Sequence, residues 1–520
     1  MSNKEAPVPV RATVETARTG PSQAPSKRRW LVLAVVSGSL LLCGIDLTVL
    51  HVAVPSMSRE LNPTPAGLLW IVDVYSLTLA ALLVTCGTLG DRLGRRRMVL
   101  SGFAAFGLAS AAAAFATSTV QLIAARAALG IGAAMIMAST VAIIRVVFTD
   151  QRERALAIGI WTSAHSVGAT IGPLVGGLVT AQWGWGAVFL INVPIIIVLL
   201  AVGARVIPES KNPVPRRWDL ASVALSVTGL ACVVYALKQA GEHAGVNWLV
   251  LTTAAAGSLL LYLFVRRQRR IDEPLLDFSL FHERRFTTAT LCVIGCFGSY
   301  VALLFFLTQW LQQVGEYTPL RAGLALMPLA AANAVGAITA PWVSSRWGNR
   351  WALTAALALF AAALAAMAIT GDTGHYGVLL LPLLGAGYGA GIVMTLGADS
   401  IMGAAQPERS GEAAAIQETS FELGAGLGVA VLGTVIAAVY RTGLPAVPNL
   451  DPAQRAAAEE SFSSAEDVAS GLPSETAQAL LHAARQVYDQ GFTTVLALAS
   501  VGLVATATMA AVMLRPLRKR

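Results

Sequence analysis

Long apolar segments separated by short polar ones fill nearly the whole chain between residues 31 and 514. Each segment is about 20 residues long and does not alternate polar with apolar positions, which is typical of a membrane-crossing helix and not of a transmembrane β-strand. The pattern predicts an all-α integral membrane protein with fourteen transmembrane helices. The predicted spans are residues 31–54, 67–90, 98–116, 120–143, 155–181, 186–204, 219–238, 248–265, 287–312, 321–343, 351–370, 376–402, 411–438 and 489–514.

Lysine and arginine are distributed unevenly between these spans. With the N-terminus in the cytoplasm, 30 of the 37 basic residues fall on the cytoplasmic side, six fall outside, and Arg126 lies within a span. Basic residues collect in cytoplasmic loops, so the asymmetry favours the fourteen-span count. It also predicts a multi-pass protein of the inner (cytoplasmic) membrane with both termini cytoplasmic. The net charge of +8 then reflects orientation beside anionic membrane lipid, and we expect no nucleic-acid partner.

The composition agrees with a membrane protein. The chain is 55% hydrophobic and 13% charged, whereas soluble domains are about 25% charged. This excludes a cytosolic enzyme, a secreted disulfide scaffold and a disordered protein. The five cysteines all lie in apolar runs without disulfide or zinc spacing, so we expect no metal site.

A short motif occurs twice along the chain. Residues 92–96 and 346–350 both read Arg-x-Gly-x-Arg, although an acid that precedes the first copy is missing from the second. The repeat predicts two pseudo-symmetric six-helix bundles plus two extra linking helices. The predicted division is a disordered cytoplasmic tail at 1–29, an N-terminal bundle at 30–204, linking helices with basic cytoplasmic loops at 205–285, a C-terminal bundle at 286–514 that includes an external loop at 441–488, and a cytoplasmic tail at 515–520. The sequence leaves open whether the external loop caps the external mouth or is a solvated insertion.

The loop after the second span, residues 87–97, combines glycines with opposite charges. Glycines let two helix ends approach, and Asp91 can cap a helix or accept a hydrogen bond from an arginine. A plain positive-inside loop would explain the arginines but not the Gly-x-x-x-Asp-Arg-x-Gly spacing. We therefore predict a conformational latch. Its residues are Gly87, Asp91, Arg92, Gly94, Arg95 and Arg96.

Several charged residues lie within predicted spans. A carboxylate at the bilayer centre costs about 2.5–3.5 kcal/mol or more, so each must face a cavity or a partner. Glu418 and Glu422 share a helix face, and two close carboxylates cannot both ionise easily, which suits a proton carrier. Arg126 needs an anionic partner, which we expect to be an acid of the first bundle. The predicted proton- and cation-coupling residues are Asp46, Asp73, Glu418, Glu422 and Arg126.

The substrate cavity is predicted from aromatic and polar residues near these charges. Trp70 and Asp73 are three residues apart, which places an aromatic face beside an anion and suits a lipophilic cation. For Trp70, the interfacial aromatic belt is an equal alternative. We predict that Trp70, Tyr75 and Asn333 line the cavity. Asp399, near the cytoplasmic end of its span, is expected to be hydrated.

The fifth span carries glycines every four residues. Gly168, Gly172 and Gly176 form a smooth helix face for close packing, and Pro173 permits a bend. Together with Gly177 they complete a Gly-Pro-x-x-Gly-Gly pattern. We interpret this face as a flexible seam that suits rocking of two halves, and static small-residue packing is the alternative.

These motifs together resemble the major facilitator superfamily. Residues 87–97 resemble its loop signature, 122–130 its fourth-span arginine motif, 168–177 its fifth-span antiporter motif, and 45–55 the first-span motif of its drug exporters. With fourteen spans, the resemblance is to the drug:proton antiporter branch that contains the quaternary-ammonium exporters. It implies the major facilitator fold, and membrane acids at positions such as 46, 73, 418 and 422. Such exporters can also carry an acid in span ten, where this chain has Asn333.

The predicted function is a proton-coupled antiporter that exports lipophilic, cationic drugs and so confers multidrug efflux and antibiotic resistance. We expect it to be a monomer, to need no cofactor beyond the proton motive force, and not to be an enzyme. A dedicated exporter of one self-made antibiotic is the alternative within transport. A membrane enzyme is disfavoured because nucleotide, zinc-protease and soluble-domain signatures are missing, and a non-transporting sensor because it would not need the membrane carboxylates.

Overall fold

The computed structural model describes residues 26–61, 63, 65–210, 219–242, 247–271, 274, 278–370, 376–404, 410–448, 450–459 and 461–515. All regular secondary structure within these ranges is helical. Residues 26–29 of the predicted tail form the first turn of a helix. The helices are α1 (Ser26–Leu61), α2 (Pro65–Leu93), α3 (Arg95–Ala114), α4 (Thr119–Val147), α5 (Gln151–Trp183), α6 (Ala187–Leu190), α7 (Asn192–Val206), α8 (Leu220–Glu242), α9 (Trp248–Gln268), a 3₁₀ helix (Phe278–His282), α10 (Arg284–Gln313), α11 (Pro319–Thr370), α12 (Tyr376–Ala404), α13 (Ser410–Gly443), α14 (Pro452–Ala458), α15 (Phe462–Ser470) and α16 (Ser474–Met513).

Helices cover every predicted span, but their bounds differ from the prediction. The span at 186–204 is broken at Ile191 into α6 and α7. The spans at 321–343 and 351–370 form one helix, α11, whose backbone leaves the helical conformation at Gly348. Eleven helical segments of the described chain are long and apolar enough to cross a membrane, with α11 counted once. The apolar part of α8 is shorter, and α5 is not among the eleven. The count of fourteen spans stays a prediction.

Two hydrophobic cores organise the helices. One is built mainly by buried residues of α1–α7, among them Val36, Phe103 and Phe189. The other is built mainly by α10–α16, with Phe286 and Phe360 at its centre. We call α1–α7 the first half and α10–α16 the second half.

The two halves meet along a seam formed by few helices. Helix α5 packs against α11 and α12, and α13 packs against α2 and α4. The approach of α5 to α11 is close, because a Cβ added at Gly159 would lie 2.3 Å from the Ala337 carbonyl oxygen. The linking helix α8 contacts both α2 and α13. The linking pair α8–α9 therefore lies beside the seam.

The linking pair is clamped where α8 begins and α9 ends. Arg267 donates to both carboxylate oxygens of Asp219 at 2.6 and 3.0 Å. These bonds lower the pKa of Asp219 to about 2, so the pair stays charged at physiological pH. Beside it, Gln268 donates to the Ser222 hydroxyl at 2.6 Å.

Large apolar side chains cover much of the outer surface. Leu108, Ile197, Ile369 and Leu381 are all more than half exposed. A soluble monomer does not expose apolar surface on this scale, whereas a bilayer provides an apolar solvent for it. The exposed surface therefore agrees with a protein embedded in lipid.

The two copies of the Arg-x-Gly-x-Arg motif adopt corresponding structures. Gly94 and Gly348 both have positive φ, at 111° and 75°. The arginine two residues later reaches the final helix of its own half in each copy: Arg96 donates to the Ala204 carbonyl, and Arg350 Nε donates to the Ala511 carbonyl at 2.8 Å. The repeat seen in the sequence thus marks equivalent helix junctions of the two halves.

Part of the predicted external loop 441–488 is folded against the second half. It contains α14 and α15, and its residues 474–488 form the beginning of α16. Phe462 of α15 packs edge-on against Tyr488 with ring centroids 5.9 Å apart. Arg485 pairs with Glu316 at 2.6 Å. The segment is therefore packed, and not simply a solvated insertion.

We expect Gly94→Ala and Gly348→Ala each to lower the free energy of unfolding by about 1–3 kcal/mol, because positive φ is strained for any residue with a Cβ. Gly502→Ala in α16 is the control, since nothing lies within 4 Å of its Cβ and its φ is ordinary. Thermal unfolding of the purified protein in detergent measures all three. Wild-type melting temperatures for Gly94→Ala and Gly348→Ala would show that these junctions are not constrained as described.

Candidate functional site: a buried charge network

A buried ion pair lies at the centre of the first half. Arg126 Nη1 of α4 donates to Asp46 Oδ2 of α1 at 2.7 Å, and the side chains are 1% and 0% exposed. Arg126 Nε donates to the Ile71 carbonyl of α2 at 3.2 Å, and the guanidinium lies 4.7 Å from the centre of the Tyr75 ring. The structure thus gives Arg126 the kind of partner expected from the sequence, an acid of the first half.

The second oxygen of Asp46 is bound by a residue that the sequence analysis did not single out. Asn192 Nδ2, from the first residue of α7, donates to Asp46 Oδ1 at 2.9 Å and to the Ser110 hydroxyl of α3 at 3.0 Å. An asparagine in an otherwise apolar span was the available signal. The network therefore joins α1, α2, α3, α4 and α7, and it satisfies both oxygens of the buried carboxylate.

The two acids of α13 face this network from the second half. Glu418 is 0% exposed and accepts from Gln417 Nε2 at 3.2 Å, and within the described part of the chain its Oε2 has no hydrogen-bond partner. Glu422, one turn later, is partly exposed. Helix α13, which carries both acids, packs against α2 and α4 of the first half. The predicted coupling acids of the two halves thus lie on facing helices. The side chain of Asp73, another predicted coupling residue, lies outside the described part of the structure.

The three predicted cavity residues are not brought together. Tyr75 is buried beneath Arg126. Trp70 is 45% exposed and stacks on Tyr235 of α8, with ring centroids 6.0 Å apart. Asn333 is 0% exposed and packs between α11 and α12, with Met394 Sδ at 3.9 Å from its Nδ2. In this conformation only Tyr75 touches the charge network.

The latch loop forms a compact set of hydrogen bonds. Asp91 Oδ1 accepts from Arg95 Nε at 3.0 Å and from Nη2 at 2.7 Å. Arg95 also binds the segment after α7, through Nη1 to the Ser210 hydroxyl and its backbone N–H to the Ser210 carbonyl, both at 2.9 Å. Gly87 and Gly94 are buried, whereas Arg92 is exposed. The structure thus joins Asp91, Arg95 and Arg96 to the end of the first half.

The second copy of this loop is held by neutral side chains where the first has Asp91 and Arg95. Asn349 occupies the place of Arg95, and its Nδ2 donates to the Ser400 hydroxyl of α12 at 3.0 Å. Its Oδ1 accepts from Ser344 at 3.2 Å. The latch of the first half is therefore held by charged side chains. The corresponding bonds in the second half are formed by neutral side chains.

The glycines of the fifth-span motif pack inside the first half. A Cβ at Gly168 would lie 2.1 Å from the Leu41 carbonyl oxygen, and one at Gly172 would lie 2.1 Å from Thr48 Oγ1. A Cβ at Gly176 would also be in close contact with Val49. Thr48 donates to the Ala169 carbonyl at 2.9 Å. These residues join α5 to α1, so their face does not form the seam between the halves. On α5 that seam is formed nearer the N-terminus, at Gly159.

The other two members of the motif contribute less to this contact. Gly177 is only partly buried, and α5 continues as one helix through Pro173. The interpretation of the motif as a rocking seam is therefore not supported by its location, because the close contacts hold two helices of one half together.

Comparison with known proteins identifies the family. The family model of the Major Facilitator Superfamily matches residues 36–429, most of the chain. The chain belongs to the major facilitator superfamily. Multidrug efflux pump LfrA of Mycolicibacterium smegmatis is 38% identical over 506 residues, covering 97% of this chain and 99% of the pump. Methyl viologen resistance protein SmvA of Salmonella typhimurium is 34% identical over 465 residues, covering 89% of this chain and 93% of SmvA.

A solved structure supports the same assignment of fold. The crystal structure of the human organic anion transporter MFSD10 (TETRAN) superposes with a TM-score of 0.61 and covers 92% of this chain and all of its own, at 16% identity. The resemblance recognised in the sequence is thus confirmed. The protein has the major facilitator fold, spans a membrane, and is a transporter and not an enzyme.

In this superfamily protein an ion pair joins the two halves. Arg154 Nε at the start of α5 lies 2.9 Å from Asp399 Oδ1 near the end of α12, with the side chains 16% and 11% exposed. The neighbouring Glu153 accepts from Arg29 at 2.7 Å. Asp399 is therefore not simply hydrated, as the sequence suggested, because a residue 245 positions away covers it.

We expect Arg154→Asp and Asp399→Arg each to slow transport by about fivefold to tenfold, as for a coupling of about 1–1.5 kcal/mol, because each places like charges across the seam. The double variant restores the pair with reversed polarity and should recover most of the rate. Efflux at equal membrane abundance measures this, with the exposed Arg152→Asp as the control for loop charge. A double variant no faster than the single ones would contradict a bond between the halves.

Proposed function

We propose that this transporter is a proton-coupled antiporter that exports lipophilic, cationic drugs across the cytoplasmic membrane. The observation that carries the proposal is the fully buried pair of Asp46 and Arg126, faced by Glu418 and Glu422 of the other half. A buried ion pair contributes little net stability compared with an apolar pair of the same shape. Its position at the junction of five helices is thus better explained by transport than by folding.

Protonation is the step that this pair couples to movement. A proton that binds the Asp46 carboxylate neutralises it and leaves the Arg126 guanidinium without its anionic partner. An unpaired buried charge costs several kcal/mol, so the surrounding helices must rearrange or a new anion must approach. The α13 acids are the anions on the facing half. In this mechanism, a proton and a substrate cation compete for carboxylates that cannot all stay ionised together.

The similarity to known exporters supports the substrate class. LfrA is named as a multidrug efflux pump and SmvA as a methyl viologen resistance protein, and methyl viologen is a flat dication. The two acids of α13, on a helix that packs against the first half, are complementary to such a charge. We therefore expect several monovalent and divalent lipophilic cations to be substrates, and a dedicated exporter would instead move one compound.

The proton motive force and the distribution of basic residues determine how export is driven and how the chain is oriented in the membrane. The proton motive force drives export without a cofactor, since the network exchanges protons and the sequence carries no nucleotide-binding motif. Both termini lie in the cytoplasm, where basic residues and anionic lipid favour each other. The proposed working unit is a monomer.

We expect Asp46→Asn to lower the efflux of ethidium and methyl viologen at least tenfold, with a smaller and substrate-dependent loss for Glu422→Gln. Asp46→Asn also leaves Arg126 buried without its anion, which costs about 3–5 kcal/mol. The double variant Asp46→Asn with Arg126→Gln removes both charges, so it should regain stability without regaining transport. Efflux from everted vesicles, with and without an uncoupler, and melting temperature are measured for each variant.

The control is Glu475→Gln, which changes an exposed acid at the start of α16 and should leave efflux unchanged. Uncoupler-resistant efflux by the wild type would overturn proton coupling. Wild-type efflux of every tested cation by the stable double variant would show that the buried pair is structural.

A further inference from the structure

Asn192 donates a hydrogen bond to the Asp46 oxygen that Arg126 does not bind. The carboxylate is divided between two donors, with Oδ2 on Arg126 at 2.7 Å and Oδ1 on Asn192 at 2.9 Å. Asn192 is 1% exposed, so water does not compete for the bond. Asn192 is the first residue of α7, and its side chain reaches both Asp46 and Ser110.

The amide of Asn192 has an unused acceptor. Its Nδ2 makes two hydrogen bonds, whereas its Oδ1 is buried and has no hydrogen-bond partner among the residues that the structure describes. A buried amide oxygen without a partner costs about 1–3 kcal/mol, so it calls for an explanation. Rotation of the amide by half a turn would place Oδ1 where Nδ2 now lies, facing both Asp46 and Ser110.

The two orientations of the amide match the two protonation states of the acid. An ionised carboxylate only accepts, so it needs the Nδ2–H that the structure shows. A protonated carboxyl can donate, so it needs an acceptor such as Oδ1. The Ser110 hydroxyl both donates and accepts, and it can therefore bond to the amide atom that faces it in either orientation.

The other groups around Asp46 cannot provide this exchange. Arg126 of α4 only donates, and Tyr75 of α2 lies over the guanidinium. Cys43 of α1 is a neutral thiol beside the Tyr75 hydroxyl, and the charges of Asp46 and Glu418 both disfavour its ionisation. Glu422 of α13 interacts with Tyr75. Asn192 is the group in contact with Asp46 that can change from donor to acceptor without changing its charge.

We infer that Asn192 is a positioning residue that sets the pH range over which Asp46 exchanges its proton, by rotating its amide from donor to acceptor. This inference rests on the proposed proton coupling at Asp46. The proton comes from solution and goes to Asp46 Oδ1, and Asn192 gains and loses none.

The test is the pH dependence of ethidium binding to the purified full-length protein, followed by fluorescence. Asn192→Leu keeps the size of the side chain but removes donor and acceptor. A hydrogen bond to a charged group is stronger than one to a neutral group, so the ionised acid loses more than the protonated one. We expect the pH midpoint to move about one unit towards alkaline pH.

Two further variants separate positioning from packing. Thr140→Val removes another buried hydrogen bond of the first half, the one that Trp161 Nε1 donates at 3.2 Å, and should leave the midpoint unchanged. Asn192→Ser retains a group that can donate and accept, and it should move the midpoint less than Asn192→Leu does. Melting temperatures show whether each variant is folded.

The outcomes distinguish this inference from the proposed function. A folded Asn192→Leu variant with the wild-type midpoint, or with the same change as Thr140→Val, overturns the role of Asn192 alone. If Asn192→Leu does not fold, the Asn192→Ser midpoint decides, and a wild-type value overturns the inference. A wild-type pH profile in Asp46→Asn, or pH-independent binding by the wild type, overturns the proton coupling and the inference with it.

Discussion

The buried contact between Asp46 and Arg126 constrains the whole first half of the protein. Each charge is costly in a low-dielectric interior unless the other is present and the remaining polar atoms are satisfied. The helices around the pair are placed accordingly, since α2 supplies a carbonyl and an aromatic ring, and α7 supplies an amide. Any movement that separates the pair must provide another partner, and this requirement makes the site a natural point of coupling.

The close packing of α1 on α5 keeps that site in one rigid unit. The motif glycines bring the two backbones so near that no side chain fits between them, and Thr48 adds a hydrogen bond across the contact. Between the halves, the close approach of Gly159 to Ala337 is accompanied by a partly buried ion pair, Arg154 with Asp399. Such a pair can break into hydrated charges more readily than a tight helix contact can separate. The ion pair is therefore the seam contact that opens most readily.

The two halves share a helix junction but not its chemistry. At both junctions a glycine with positive φ turns the chain, and an arginine two residues later binds the last helix of the half. The first junction adds the ion pair of Asp91 with Arg95, whereas the second has Asn349 and serines. The first junction therefore holds a pair of opposite charges where the second holds neutral groups, so the pseudo-symmetric fold is asymmetric in its electrostatics.

The sequence by itself determined the helical membrane fold, the repeated junction and the presence of charged residues inside the spans, of which Asp46, Arg126 and Glu418 are buried in the structure. These features are local, because span length, the tolerance of glycine for positive φ and the cost of a charge in an apolar segment can be read at each position. Only the tertiary structure decided that Arg126 pairs with Asp46, that Asn192 completes the network, and that the fifth-span glycines face α1. Those contacts join residues far apart in the chain, and they depend on the rotation of each helix about its axis, which an apolar helix in an apolar solvent leaves largely unmarked in its sequence.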